Sequence, residues 1–280
     1  MSVATLTAET TNAMNRTEIE KHRDCFRREI QAAKATGHGV HAAIRLEQKL
    51  AENPDDGGLH QAVGLAFADL ALLRRARPVL ETAQVLTPLC AEAEVALADC
   101  YIAARSGEHA AGLLRNAGLR NDSPCALRLR AAERLGRLGG QRLGWMICRK
   151  AVQDFPDEPQ AWFDLSYFLG RVGSPFPQIE SAAMRAIDLA PDVVCYRTSL
   201  ASALFQLDRA ADAYRLVRHF ESAQINGVAC DCCVERLGLI FESADDWRLA
   251  RLCLERRMTL RQSRSREATI ESDRSSGGMA

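Results

Sequence analysis

The stretch from Gly57 to Cys90, GGLHQAVGLAFADLALLRRARPVLETAQVLTPLC, decides the fold, because its apolar residues fall at helical spacing twice over. Val63, Phe67 and Leu70 mark one helix, and Ala76, Leu80 and Ala83 mark another after a short break. Pro88 stops the second helix, since proline lacks the N–H that would continue it. The stretch reads as a helical hairpin.

The same pattern recurs up and down the chain at about 34 residues. Pro54, Pro88 and Pro156 share one column, with Asp122 in the missing slot. Ala42, Ala76, Ala110 and Gly144 form a second, and Gly64, Ala98, Ala132 and Ser166 a third. Phe67, Tyr101, Leu135 and Leu169 form a fourth, and Leu46, Leu80, Leu114 and Cys148 a fifth. Small residues recur where two helices approach closely and large apolar ones where they interlock. Units are read near 23–56, 57–90, 91–124, 125–158, 159–193, 194–230 and 231–264. The fifth carries one extra residue, placed in the turn Gly173-Ser-Pro-Phe-Pro177, and the sixth has looser spacing.

A pair of short helices cannot by itself bury enough apolar surface to offset an ordering cost of about 1.5 kcal/mol per residue. The hairpins must therefore stack on their neighbours as a solenoid. These residues resemble the tetratricopeptide-repeat family. Unit two shows Val63-Gly64, Phe67, Ala76, Leu80, Ala83 and Pro88, unit five shows Trp162, Leu165, Ala186 and Pro191, and unit seven shows Asp245-Asp-Trp247 before Ala250. The resemblance spans about Arg23 to Arg264. It implies an all-α solenoid of about seven hairpins, a right-handed superhelix whose concave wall is lined mainly by the first helix of each pair. Pro78 falls early in a second helix and is expected to shorten it.

Composition limits what such a chain does. The 36 basic and 36 acidic residues balance, so no global charge draws it to nucleic acid or a membrane surface. No apolar run reaches the length of a membrane span. Residues 1–17 read as a flexible segment without the basic start and apolar stretch of a secretory leader. Thr17-Glu-Ile-Glu20 fits a capping box that starts the first helix, and 265–280 read as a disordered tail. Ten scattered cysteines in a chain with ample core material suit a reducing cytoplasm.

By register, the concave wall presents Arg27, Gln31 and Lys34, then Gln61, Leu65 and Asp69, then Asp99, Arg130, Glu133 and Arg137, and finally Phe163, Tyr167, Arg171 and Ser202. Charges among Leu, Phe and Tyr suit a polypeptide segment, with apolar anchors supplying energy and charges supplying alignment. One subset of the family grips a C-terminal carboxylate with Lys, Asn and Arg, but Arg27, Gln31, Gln61, Ala62, Val95 and Ala96 stand at those positions. The resemblance thus implies a protein-binding scaffold without that clamp.

Arginines cluster from Arg115 to Lys150 and again from Arg248 to Arg266, which keeps open RNA or an acidic protein segment. Aromatics for base stacking are sparse beside them, with Trp145 and Trp247 alone, so nucleic acid is the weaker reading. Cys230, Cys232 and Cys233 lack the paired CxxC spacing of zinc sites, so the sequence assigns no metal and no cofactor and reads some of them as small core residues. The phosphate-loop, dinucleotide, zinc-protease and nucleophile-elbow motifs are absent, and the chain reads as non-enzymatic. A helper subunit of a transferase or of an envelope or secretion machine stays open as an alternative. The seventh hairpin lacks an extra capping helix, leaving its outer face to the tail, to a partner, or to a second copy in a homo-oligomer through the C-terminal repeat.

Overall fold

The structure is a computed structural model that describes residues 19, 21–33, 35, 36 and 38–276. The proposed capping box falls on Thr17, Glu18 and Glu20 and so lies outside the described residues. All regular secondary structure among them is helical. The chain divides into two compact units, one ending at Pro156 and the other beginning at Asp157.

In the first unit α1 covers 21–33, followed by α2 (Gly39–Glu52), α3 (Gly57–Asp69), α4 (Leu73–Leu86), α5 (Ala91–Ala103), α6 (Gly107–Leu119), α7 (Cys125–Arg137) and α8 (Gln141–Asp154). The strongest packing is within the pairs α3/α4, α5/α6 and α7/α8, and each pair then meets the next. Four of the five columns occupy the packed faces, while the column of Pro54, Pro88, Asp122 and Pro156 is exposed at the hairpin ends. Ala42, Ala76 and Ala110 are fully buried, as are Ala98, Ala132, Phe67, Leu135, Leu80 and Leu114. Gly64 lies so close to Leu80 that a Cβ there would stand 2.5 Å from Leu80 Cδ2. Pro78 sits inside α4 without shortening it, for α4 has the same 14 residues as α2 and α8. The carbonyl that Pro78 leaves without a donor belongs to Arg74, an exposed residue of the first turn, so the missing bond falls where the helix end is open to solvent.

From α3 onward, each first helix ends in one residue with left-handed backbone. In this unit these are Ala71 (φ 58°), Arg105 (φ 60°) and Gly139 (φ 84°). The residue after each donates its N–H back to the large apolar residue of the fourth column: Leu72 to Phe67 at 2.9 Å, Ser106 to Tyr101 at 2.9 Å and Gly140 to Leu135 at 2.8 Å. This is the Schellman closure, which satisfies a helix-end carbonyl and turns the chain into the second helix.

The turns between hairpins are held by side chains, two of them from first helices and one, Arg120, from the end of α6. Gln61 is 1 % exposed, donates from Nε2 to the Pro88 carbonyl and accepts the Cys90 N–H at Oε1. Arg128 is fully buried, donates from Nη2 to the carbonyls of Arg120 and Asn121, pairs through Nη1 with Asp154, and lies over the Phe155 ring. Arg120 donates to the Leu89 carbonyl at 2.8 Å. Glu94 is beside it, with Oε2 3.9 Å from Arg120 Nη1, and burial pushes its carboxyl up to about 7 against the pull of that guanidinium.

The second unit contains α9 (Pro159–Arg171), α10 (Phe176–Leu189), α11 (Val194–Gln206), α12 (Ala210–Val217), α13 (Ser222–Gly227), α14 (Asp231–Ser243) and α15 (Trp247–Ser276). Its first helices close in the same way, at Gly173, Asp208 and Asp245, with bonds from Ser174 to Leu169, Arg209 to Leu204 and Asp246 to Phe241. The loose sixth repeat has a physical form: α12 spans only 8 residues and α13 only 6. Phe220 and Ile225, both buried, fill the space that a longer second helix would occupy. α15 runs on past Arg264 to Ser276, where the sequence reading placed a disordered tail. Its segment from Arg264 is rich in Ser, Arg and Glu, polar residues that sustain a helix without marking an apolar stripe.

Candidate binding surfaces

In the first unit, first helices line a recess of about 290 Å³. Leu65, Ala96 and Leu127 supply its apolar part, with Arg23, Asp69, Glu92, Asp99 and Arg130 as its charged part. Asp69 accepts both Nε and Nη2 of Arg23 at 2.8 Å and lies 4.0 Å from Arg27. Asp99 pairs with Arg130 at 3.4 Å and with Arg134, and Glu133 pairs with Arg137 at 2.6 Å. Each carboxylate is thus bracketed by guanidinium groups, an arrangement that holds the rim rigid while leaving Arg27, Arg130 and Arg137 exposed.

The second unit has an apolar recess of about 380 Å³ between α9, α10 and α11. Phe163, Tyr167, Phe176, Ile179, Leu200 and Leu207 are its main apolar walls. Tyr167 is 55 % exposed at the mouth. Phe163 is fixed against Tyr196, the rings tilted by 33° with centroids 4.7 Å apart, and Tyr196 donates its hydroxyl to Gln160 at 3.0 Å. Ser166, the polar residue deep in the wall, donates to the Phe163 carbonyl, so its hydroxyl is already satisfied. Arg171 is exposed on the last turn of α9.

Of the residues placed on the wall by register, the first recess brings together Leu65, Asp69, Asp99 and Arg130, and the second Phe163 and Tyr167. Gln31 is exposed on α1, and Lys34 lies outside the described residues. Two placements need correction. Gln61 is engaged by the turn at Pro88–Cys90, and Ser202 is buried and donates to the Thr198 carbonyl. Both occupy positions whose helix face turns inward, which a register counted from apolar columns alone does not resolve. Arg23 was missed, although its spacing of one helical turn before Arg27 sets it on the same face. Phe176 and Ile179 were missed because they belong to a second helix.

The arginine-rich segments are largely engaged within the fold. Arg120, Arg128, Arg130, Arg134, Arg137 and Lys150 all meet carboxylates, as do Arg251, Arg257 and Arg261. Arg149 lies over the Trp145 ring, and Arg256 donates to the Val228 carbonyl. The side chains of Arg264 and Arg266 lie outside the described residues.

No protein-family model and no curated protein matches the sequence. Solved structures do match the fold. The C-terminal part of a TPR repeat-containing protein from Cytophaga hutchinsonii aligns with a TM-score of 0.57 over 84 % of this chain and 95 % of that one, at 10 % identity. PilF of Pseudomonas aeruginosa aligns at 0.55 over 70 % and 88 %, with 14 % identity. The chain has the tetratricopeptide-repeat fold. A third tetratricopeptide-repeat structure, YrrB, described as having an unusual peptide-binding site, aligns at 0.51 over 62 % of this chain and 93 % of that one, with 14 % identity. These identities speak to tetratricopeptide-repeat architecture and not to a shared ligand. No helix among the described residues is long and apolar enough to cross a membrane.

Proposed function

We propose that the chain is a non-enzymatic scaffold that binds a polypeptide segment of a protein partner on the faces of its first helices. The observation that carries this reading is the recess of the second unit, where Phe163, Tyr167, Phe176, Ile179 and Leu207 leave apolar surface open on a tetratricopeptide-repeat frame. A site of this size accepts one large apolar side chain, and Arg171 on the last turn of α9 offers a charge for an acidic neighbour in the same segment. The described peptide-binding character of YrrB, a protein of the same fold, supports the same use of this frame. The frame is held by buried columns and locked turns before any partner arrives, so the ordering cost falls on the partner segment.

The test is a peptide array of short segments, each with one large apolar residue near an acidic one, followed by solution titration of the binders. Replacing Tyr167 and Arg171 together by Ala is expected to weaken binding at least tenfold with helicity unchanged. Equal affinity in the folded double variant overturns the assignment of this recess.

A further inference from the structure

Cys230, Cys232 and Cys233 stand together at the start of α14, and their three sulfur atoms all lie within 4.8 Å of one another. Cys230 Sγ and Cys232 Sγ are 2.7 Å apart. Their exposure differs from that of small core residues: Cys232 is exposed and the other two are half-buried. The buried cysteines Cys100, Cys148 and Cys253 lie on packing faces, so this cluster is a different kind of site.

We propose that Cys230, Cys232 and Cys233 form a three-thiolate site for one thiophilic metal ion. Sulfurs bound at about 2.3 Å to a common ion stand roughly 3.7–4.0 Å from one another, and the three here already lie within 4.8 Å. The donor set is soft, which selects Cu(I) or Zn(II) over the hard cations. Asp231, set between the cysteines in sequence, has its carboxylate engaged by Arg257 at 3.3 Å and Arg261 at 3.5 Å from α15, which leaves sulfur as the ligand. The negative charge of three thiolates meets the N-terminal end of a 13-residue helix, where backbone N–H groups point toward it. The exposed side of Cys232 leaves room for water or an outside ligand in the remaining coordination position.

Metal entry displaces the protons still carried by the sulfurs and changes no oxidation state. The test uses the reduced full-length protein without oxygen. Cu(I) is titrated in one arm and Co(II), as a spectroscopic substitute for Zn(II), in the other, with native mass spectrometry for stoichiometry. Expected is one ion per chain in at least one arm, with a near-ultraviolet thiolate charge-transfer band. Cys230→Ser, Cys232→Ser and Cys233→Ser are each expected to weaken binding at least tenfold, while Cys25→Ser, an exposed cysteine of the other unit, binds like the parent. Circular dichroism verifies that each variant is folded, and Cys232→Ser, the exposed position, is the least disruptive of the three. Absence of a saturable band in both arms overturns the proposal, and so does undiminished binding by the folded variants.

Discussion

The backbone N–H of Ser106 donates to the carbonyl of Tyr101 at 2.9 Å, across Arg105, whose φ of 60° lies in the left-handed region. An L-residue with a side chain pays about 1–2 kcal/mol to adopt that backbone. The corresponding residue of the next hairpin, Gly139, has φ 84° and open space around it. Arg105→Gly is therefore expected to stabilise the fold by about 0.5–1 kcal/mol and Gly139→Ala to destabilise it by about 1 kcal/mol. Urea unfolding followed by circular dichroism measures both, and the same sign for the two substitutions would contradict the argument.

Two helical glycines should respond in opposite directions. Gly64 faces Leu80 with no room for a Cβ, while Gly112 has nothing within 4 Å. Gly64→Ala is expected to cost about 1–3 kcal/mol through overpacking. Gly112→Ala, at an exposed position within α6, is expected to add about 0.5–1 kcal/mol from helix propensity. Thermal melts of the pair separate close approach from the general cost of glycine in a helix.

Arg128 is expected to tolerate no substitute. Arg128→Ala removes the donor shared by the Arg120 and Asn121 carbonyls and the partner of Asp154, at a cost of about 2–4 kcal/mol. Arg128→Lys should recover little of this, because an ammonium cannot span three acceptors with the planar fork of a guanidinium. Recovery by Lys to within experimental error in denaturant midpoint would show that charge alone suffices.

Glu94 predicts a pH dependence. Burial raises its carboxyl from 4.5 to about 7, so the folded state holds that proton more tightly than the unfolded chain does. The favourable contribution is complete below pH 4.5 and is lost as pH rises through about 7. Glu94→Gln should match the parent at pH 4.5 and exceed its stability at pH 8 by about 1–2 kcal/mol, after allowance for solvent screening. A pH-independent difference between the two proteins would assign the effect elsewhere.

The solenoid was legible in the sequence because its packing demands are periodic. Ala76, Ala110, Leu80 and Leu114 meet equivalent neighbours in successive hairpins and so show the same residue types. The left-handed closures repeat just as regularly but were hidden, since Ala71, Arg105, Asp208 and Asp245 occupy positions where glycine would have announced the backbone. The same distinction runs through the candidate surfaces. Counting along first helices reaches Asp69, Asp99 and Tyr167, which line open recesses. It fails at Gln61, whose amide is required by a turn distant in sequence, and at Phe176, which enters the second recess from another helix. Composition gave the arginine segments as possible contact surfaces; pairing shows most of them engaged by carboxylates within the chain. The three cysteines miss the usual paired spacing yet converge because Cys230 and Cys233 stand three residues apart, about one turn, at the start of α14, with Cys232 between them in sequence.

In the first unit the packing partners of α3 through α8 are close in sequence. The entropy of closing long loops is therefore largely avoided, and topology favours rapid folding. During synthesis each emerging hairpin of that unit finds its docking surface on one already made, so order can advance along the nascent chain from the N-terminal side.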